Sequence, residues 1–420
     1  MWERLNRTID SAILIYFRLF TGLLLAQELV NALIIGRLQE YSSTSFHFTY
    51  LFTPWIGPWG PSGMKLHFAL TIIAGVMVAF GFFYRLSAII LFLGYLSLFL
   101  MEMSEYINHK YLYCMISFWL IWLPLGRQQL KSQLPAWMLY LVLFHMGIAY
   151  FFAGVAKINP DWMSGSPMDL YLEVRSHFLL GKFYTYPMAP LIFSWGGLVF
   201  DLLIVPALLW KPTRMMALAS ALFFHVSNSL MFGLATFPWF SLLMSTLFFD
   251  PSWPRKIPGF SIFLPKTEVT AVTPLHRGLA VALGLYVILH LALPFRHHFY
   301  PGDASWTEEG HMFAWRMMLR NKTGNFKMWV KDKTNGTVKK IDPNHYLTKR
   351  QFQSMVGDPD LILQFAHYIK KQHHNSGQEV EVYASSLVSL NGKEKRELLR
   401  QGIDLSTIKR SLEHYAWIQK

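Results

Sequence analysis

The chain has 420 residues, of which 53% are hydrophobic and 15% charged, and a formal net charge of +13. Such an apolar excess lies outside the range of soluble globular proteins, so long apolar runs must meet lipid. The single cysteine, Cys114, excludes an internal disulfide, a Cys-x-x-Cys redox pair and a thiolate metal cage. The positive charge does not indicate nucleic-acid binding. Lys and Arg fall in short connections between apolar segments and in the tail, as expected for residues facing the cytoplasmic side of a membrane.

The first apolar stretch, Ser11 to Ile35, has no small-residue cleavage site and is long enough to cross a bilayer, so it reads as a retained first helix. Further spans are predicted near Leu66 to Phe83, Leu86 to Met101, Tyr111 to Leu125, Pro135 to Val155, Pro190 to Trp210, Met215 to Phe232, Phe237 to Phe249 and Gly278 to Leu293. The eighth is short against the usual crossing length of ~20 residues. The fold class is therefore mainly α: a polytopic transmembrane helical bundle of about nine spans with a small α+β extramembrane C-terminal domain. The division falls at 1–294 and 295–420.

Arg4 with Arg7, Arg85, Arg127 with Lys131, Lys211 with Arg214, and Arg255 with Lys256 fall on alternate connections. The positive-inside rule puts that side, and the N-terminus, in the cytoplasm, and an odd number of crossings puts the C-terminal domain outside. Trp55, Pro58, Trp59 and Pro61 read as an interfacial aromatic platform on the outer side. Beyond Pro294, Phe326 to Lys331 and Thr337 to Ile341 flank Asn335-Gly336, a dipeptide suited to a tight hairpin. Asn391-Gly392 follows the alternating stretch Val380 to Leu390, and Leu361 to Lys371 has helical spacing.

Polar groups inside apolar spans are costly to bury, so they mark candidate sites. They collect at Glu102, Glu105, Asn108 and His109; at Lys157; at Asp201; and at His225, Asn228 and Ser229, which share one helix face. Each has a structural alternative. Lys157 lies near a helix end, where snorkelling to the interface is commonplace. His109 can hydrogen-bond back to Glu105. Asp201, far from either end of its span, needs either a structural partner or a functional task. With the N-terminus cytoplasmic, Asn108, His109 and Lys157 all fall near outer span ends and can share a site. An amine in a greasy cavity loses the hydration of its charged form and becomes available as a base, while nearby histidine and asparagine can orient an anionic or carbonyl oxygen.

The segments INHKYLY, YFFAGVAKINPDWMSG, GGLVFDL, FFHVSNSLMF and WTEEGHMFAWRMMLR, in that order, resemble the vitamin K-dependent gamma-glutamyl carboxylase family, including its bacterial HTTM-domain relatives. The resemblance implies an integral membrane enzyme, in a bacterial inner membrane, that uses vitamin K hydroquinone with dioxygen and carbon dioxide as co-substrates and requires no metal. It implies that Lys157 deprotonates the hydroquinone, which reacts with dioxygen on the way to an epoxide. The oxygenated species then removes a γ-proton from glutamate in a protein or peptide substrate, and the carbanion takes up carbon dioxide. The resemblance places Asn108, His109 and His225 at the same centre, and Asn228 and Asp201 are candidate supporting residues. Animal members carry two adjacent lysines in the AGV segment; here the first is Ala156. Glu308, Glu309 and His311 match the family's post-membrane motif without a derivable role.

Three other readings stay open at this point. One is a quinol epoxidase without carboxylation. Another is a haem-bearing quinol oxidoreductase using two of the in-span residues His67, His145 and His225. The last is a non-catalytic quinone- or lipid-binding membrane protein.

Overall fold

The computed structural model describes residues 2–175, 181–265 and 274–419. Nine apolar helices lie among them in chain order: α1 (Ala12–Ile34), α2 (Gly60–Phe80), α3 (Tyr84–Met101), α4 (Asn108–Trp122), α5 (Trp137–Ala156), α6 (Ala189–Leu209), α7 (Arg214–Phe232), α8 (Phe237–Thr246) and α9 (Arg277–Ala292). Seven are long and apolar enough to cross a membrane, α7 and α9 being lengthened by short turns at Lys211–Thr213 and Leu293–Phe299. The exceptions are α4, with 15 residues, and α8, with 10. Boundaries move slightly from the sequence reading. Helix α2 begins at Gly60 rather than Leu66 because Pro61 fits the first turn, where a missing N–H costs nothing. Helix α4 begins at Asn108 rather than Tyr111.

Successive connections alternate between two faces of the bundle. On one, strand β1 (Thr8–Asp10) pairs antiparallel with β2 (Gln133–Pro135), and the Asp10 carboxylate accepts from Arg255 Nε at 2.6 Å. Arg18, fully buried in α1, donates to the Leu125 carbonyl on this face. It passes beside Gly81, whose φ of +73° ends α2 and where a Cβ would lie 2.6 Å from the guanidinium. The opposite face carries the loop with exposed Trp55 and Trp59, the turn before α4, the segment after α5, and the C-terminal region. There Gln364 Oε1 accepts from the Thr49 amide at 2.9 Å, Gln351 Nε2 donates to Glu102 at 2.8 Å, and Lys393 reaches Asp161 at 2.6 Å.

The C-terminal region holds a sheet of order β4-β3-β5-β6, built from β3 (Lys322–Asp332), β4 (Val338–Ile341), β5 (Val380–Leu390) and β6 (Arg396–Glu397). Asn335-Gly336 turns the β3–β4 hairpin, with Gly336 at φ +69°. Two helices complete it: α10 (Lys349–Val356), started by a capping box of Thr348 and Gln351, and α11 (Pro359–Asn375), which packs on β5.

The segment joining α9 to β3 is strained. Glu308, Phe313, Trp315 and Met318 all take φ near +60°, a region costing an L-residue roughly 1–2 kcal/mol each. Packing holds it there: Trp315 is fully buried, and the Tyr111 ring lies 4.9 Å from Phe313 and 5.3 Å from Trp315. So does charge. Buried Glu308 Oε1 lies 2.7 Å from both Arg320 Nε and Lys322 Nζ, and its Oε2 is 3.2 Å from His311 Nδ1. Burial alone would raise the Glu308 carboxyl, but Arg320, Lys322 and His311 outweigh it and hold it at about 2. Burial, then Arg320, pushes His311 down to about 4.

Two predictions follow from these packing and charge arrangements. A Cβ at Gly22 of α1 would lie 2.5 Å from the Gly75 carbonyl oxygen and 2.6 Å from the Ala79 amide nitrogen of α2, so small residues set the approach of these helices. Gly22→Ala lowers the unfolding free energy in detergent by about 1–3 kcal/mol, whereas Gly196→Ala, with open space around it, does not. Glu308 and His311 both bind fewer protons folded than unfolded, so acid opposes folding. The His311 contribution is lost as pH falls from 6.5 towards about 4, and that of Glu308 from 4.5 towards about 2. Thermal midpoints measured across that range decline towards acid. Glu308→Gln flattens the lower limb and costs ~3–5 kcal/mol at neutral pH, because Arg320 and Lys322 lose their buried counter-charge.

Candidate active site

Lys157 caps the C-terminus of α5. The chain then turns at Asn159, whose side chain accepts from the Trp162 amide, and the Trp162 indole donates to the Ser194 carbonyl at 2.7 Å. This turn folds the lysine back into the bundle. Its Nζ lies 2.6 Å from Asp201 Oδ2 of α6, 3.4 Å from the Ala153 carbonyl and 5.0 Å from the centre of the Trp162 ring. Each member of the pair is only 5% exposed. Gly197, one turn before Asp201, faces the lysine stem without crowding it: a Cβ there would lie 4.0 Å from Lys157 Cε and 3.5 Å from the Trp162 ring, both ordinary contacts. The snorkelling alternative for Lys157 is therefore overturned, and Asp201 has found its partner. The charges compensate each other where either alone would be strongly unfavourable.

Tyr150 sits two turns before Lys157 on α5, and its hydroxyl is 2.6 Å from His225 Nε2 of α7. His225 Nδ1 is buried with no hydrogen-bond partner among the described residues. The Phe200 and Phe224 rings stack at 3.9 Å beside this pair. Phe237, at the start of α8, links the next histidine: its ring stacks on His109 at 5.1 Å and meets His225 edge-on at 6.4 Å. His109 does not bond to Glu105, whose carboxylate instead goes to Arg37 and to Lys110. Asn108 takes a hydrogen bond from the Tyr106 hydroxyl at 3.0 Å.

Lys157, Asp201 and His225 thus converge on α5 through direct contacts, and His109 joins through Phe237. No hydrogen bond or ring contact among the described residues joins Lys157 to His109. Asn228 shares the α7 face of His225 but is half-buried and makes no hydrogen bond among the described residues. Sequence reasoning missed Tyr150, although a seven-residue offset from Lys157 places both on one face of α5. It also missed Phe237 and Arg18; nothing in the local pattern separates that phenylalanine from its many apolar neighbours.

The three in-span histidines proposed as haem ligands go to separate partners. His67 Nε2 lies 3.0 Å from the Gly94 carbonyl, His145 Nε2 2.6 Å from the Tyr286 hydroxyl, and His225 Nε2 against Tyr150. Glu308 and Glu309 likewise diverge: Glu309 accepts from the Tyr415 amide at 2.7 Å and faces His414 at 2.9 Å.

Comparison with known families agrees with this architecture. The model described as HTTM domain matches residues 6–253, more than half of the chain. The model described as vitamin K-dependent gamma-carboxylase, lumenal domain, matches residues 276–420, a stretch that takes in α9 as well as the sheet. No solved structure matches the chain. The HTTM match over more than half of the chain, followed by the lumenal-domain match over the remainder, places the chain in the vitamin K-dependent gamma-carboxylase family of HTTM-domain membrane proteins.

Proposed function

We propose that this protein is a vitamin K-dependent gamma-glutamyl carboxylase, coupling oxidation of vitamin K hydroquinone to its epoxide with addition of carbon dioxide to glutamate in a protein or peptide. The observation that carries the reading is the buried Lys157–Asp201 pair at 2.6 Å, at the end of α5 and with the Trp162 ring 5.0 Å from the amine. A structural ion pair alone does not need such a dry site, and replacing one by apolar residues commonly costs nothing. The residues fit a lipid-soluble hydroquinone. Phe200, Phe224 and Phe237 offer ring surfaces, and His225 Nδ1 is a buried polar atom without a hydrogen-bond partner among the described residues.

When bound, the hydroquinone supplies the reducing power that makes a base strong enough for a glutamate γ-proton, which no side chain can remove. Lys157 takes the hydroxyl proton. Across 2.6 Å its own proton can rest on Asp201, which leaves the amine free to act and avoids a lone buried charge. Tyr150 fixes the orientation of His225, so that Nδ1 faces the site as the available nitrogen. Asn108 and His109, at the mouth of α4, face the glutamate. The face bearing Arg85, Arg127, Lys211 and Arg255 is cytoplasmic in this reading, and the bundle ends near Pro294. The site and the 295–420 domain then lie on the outer side of a bacterial inner membrane.

Purified protein in detergent, given reduced vitamin K, labelled bicarbonate and a glutamate-containing peptide, forms epoxide and labels the peptide. Lys157→Ala reduces epoxide formation by at least ~100-fold, and Asp201→Asn by ~10-fold or more, in line with loss of a general base and of its supporting group. Equal turnover by wild type and Lys157→Ala removes the lysine base from the account. Epoxide without label narrows the activity to quinol epoxidation, and binding without either product leaves a quinone-binding protein.

A further inference from the structure

One polar chain runs from the strained 308–318 loop to Asn108 at the start of α4, and groups of fixed polarity set its two ends. The Phe313 backbone N–H can only donate, and it meets the Tyr106 hydroxyl oxygen at 2.5 Å. The Arg316 carbonyl can only accept, and it lies 3.4 Å from Asn108 Nδ2. Between them the Tyr106 hydroxyl is 3.0 Å from Asn108 Oδ1. With its oxygen already accepting from Phe313, Tyr106 sends its proton to Asn108. Turning the amide over would set its oxygen against the Arg316 carbonyl and remove the acceptor for the tyrosine proton. Amide orientation is ordinarily ambiguous; here the loop backbone decides it.

The loop conformation is itself fixed. Phe313 and Trp315 are held at positive φ, Arg296 donates to the Met312 carbonyl at 3.3 Å, and Arg316 donates to the Ser305 hydroxyl at 2.8 Å. The Tyr106 ring is clasped by Phe99, His311 and Phe313 at 5.5 to 6.0 Å. The ring is thus anchored independently of its hydroxyl.

We infer that Tyr106 is a positioning residue that transmits the docked state of the 308–318 loop to Asn108, holding the amide with its N–H groups as donors for a substrate oxyanion. One of those donors meets Arg316; the other has no hydrogen-bond partner among the described residues. The inference rests on the reading of Asn108 as a site residue. It makes the C-terminal region a determinant of catalysis through the Tyr106 hydroxyl, beside the direct contact of Asn108 with the Arg316 carbonyl.

The test is a double-mutant cycle in the full-length protein with Tyr106→Phe and Asn108→Ala, read both by quinol-dependent carboxylation and by thermal unfolding in detergent. Tyr106→Phe keeps the clasped ring and lowers kcat about tenfold with the quinol KM within about twofold, as expected for loss of an orienting hydrogen bond. The double variant is no slower than Asn108→Ala alone, and the shifts in unfolding midpoint are non-additive. A double variant slowed by the product of the single effects overturns the inference, since Tyr106 would then act independently of Asn108. If wild type turns over no quinol, the proposed activity fails, while the unfolding cycle still judges the pair: additive midpoint shifts overturn the coupling, and non-additive shifts sustain it.

Discussion

A lysine ammonium and an aspartate carboxylate buried together among apolar helices constrain everything around them. Neither Lys157 nor Asp201 is tolerable alone at that depth, because the hydration each gives up is worth far more than any contact with hydrocarbon. The pair therefore ties the end of α5 to the middle of α6, and these two helices are packed along their length. The turn at Asn159 brings the amine inward rather than outward to the interface. Tyr150 and His225 extend the same seam by another hydrogen bond, which brings α7 against α5.

Polar contacts also reinforce apolar packing where helices meet over a small area. Between two helices in lipid there is little hydrophobic drive, so small residues and hydrogen bonds carry the association. Helix α9 illustrates this, since it is largely lipid-exposed. It is attached through Tyr286, bonded to His145 of α5, and His290, 3.0 Å from the Tyr111 hydroxyl of α4. The histidines that invited a cofactor reading thus act as joints between helices. At the other face, the C-terminal region is seated by side chains that reach the connections before α2, before α4 and after α5. The strained loop is pressed onto Tyr106 and Tyr111 at the mouth of α4.

The buried Glu308 cluster explains why that loop keeps so unusual a backbone. A carboxylate met by Arg320 and Lys322 at 2.7 Å is a strong anchor, and Lys322 also reaches the Trp306 and Gly357 carbonyls. The first residues of β3 are thereby locked to the start of the loop. Domain junction, loop strain and site geometry are parts of one mechanical unit. The lumenal-domain match takes in this loop, its Glu308 cluster and α9, while the HTTM match covers the earlier helices on which the loop rests.

Much of the architecture followed from the chain itself. Apolar run lengths located every long helix, because a bilayer permits few alternatives to a helix of about 20 residues. Alternating basic connections agreed with alternating faces, and Asn335-Gly336 located its hairpin, although the connection runs over 333–337 and only Gly336 of the pair takes positive φ. The sequence also singled out Lys157, Asp201, His109 and His225, since ionisable groups inside apolar runs stand out without any structure. Which of them meet was decided only by tertiary packing. Lys157 and Asp201 are 44 positions apart, Tyr150 and His225 are 75 apart, and Tyr106 meets the Phe313 amide across 207. Hydropathy and periodicity are local quantities, whereas an ion pair or a ring stack depends on how separate helices rotate and approach. That rotation is set by small-residue contacts such as Gly22 against Gly75, whose partner no local pattern specifies.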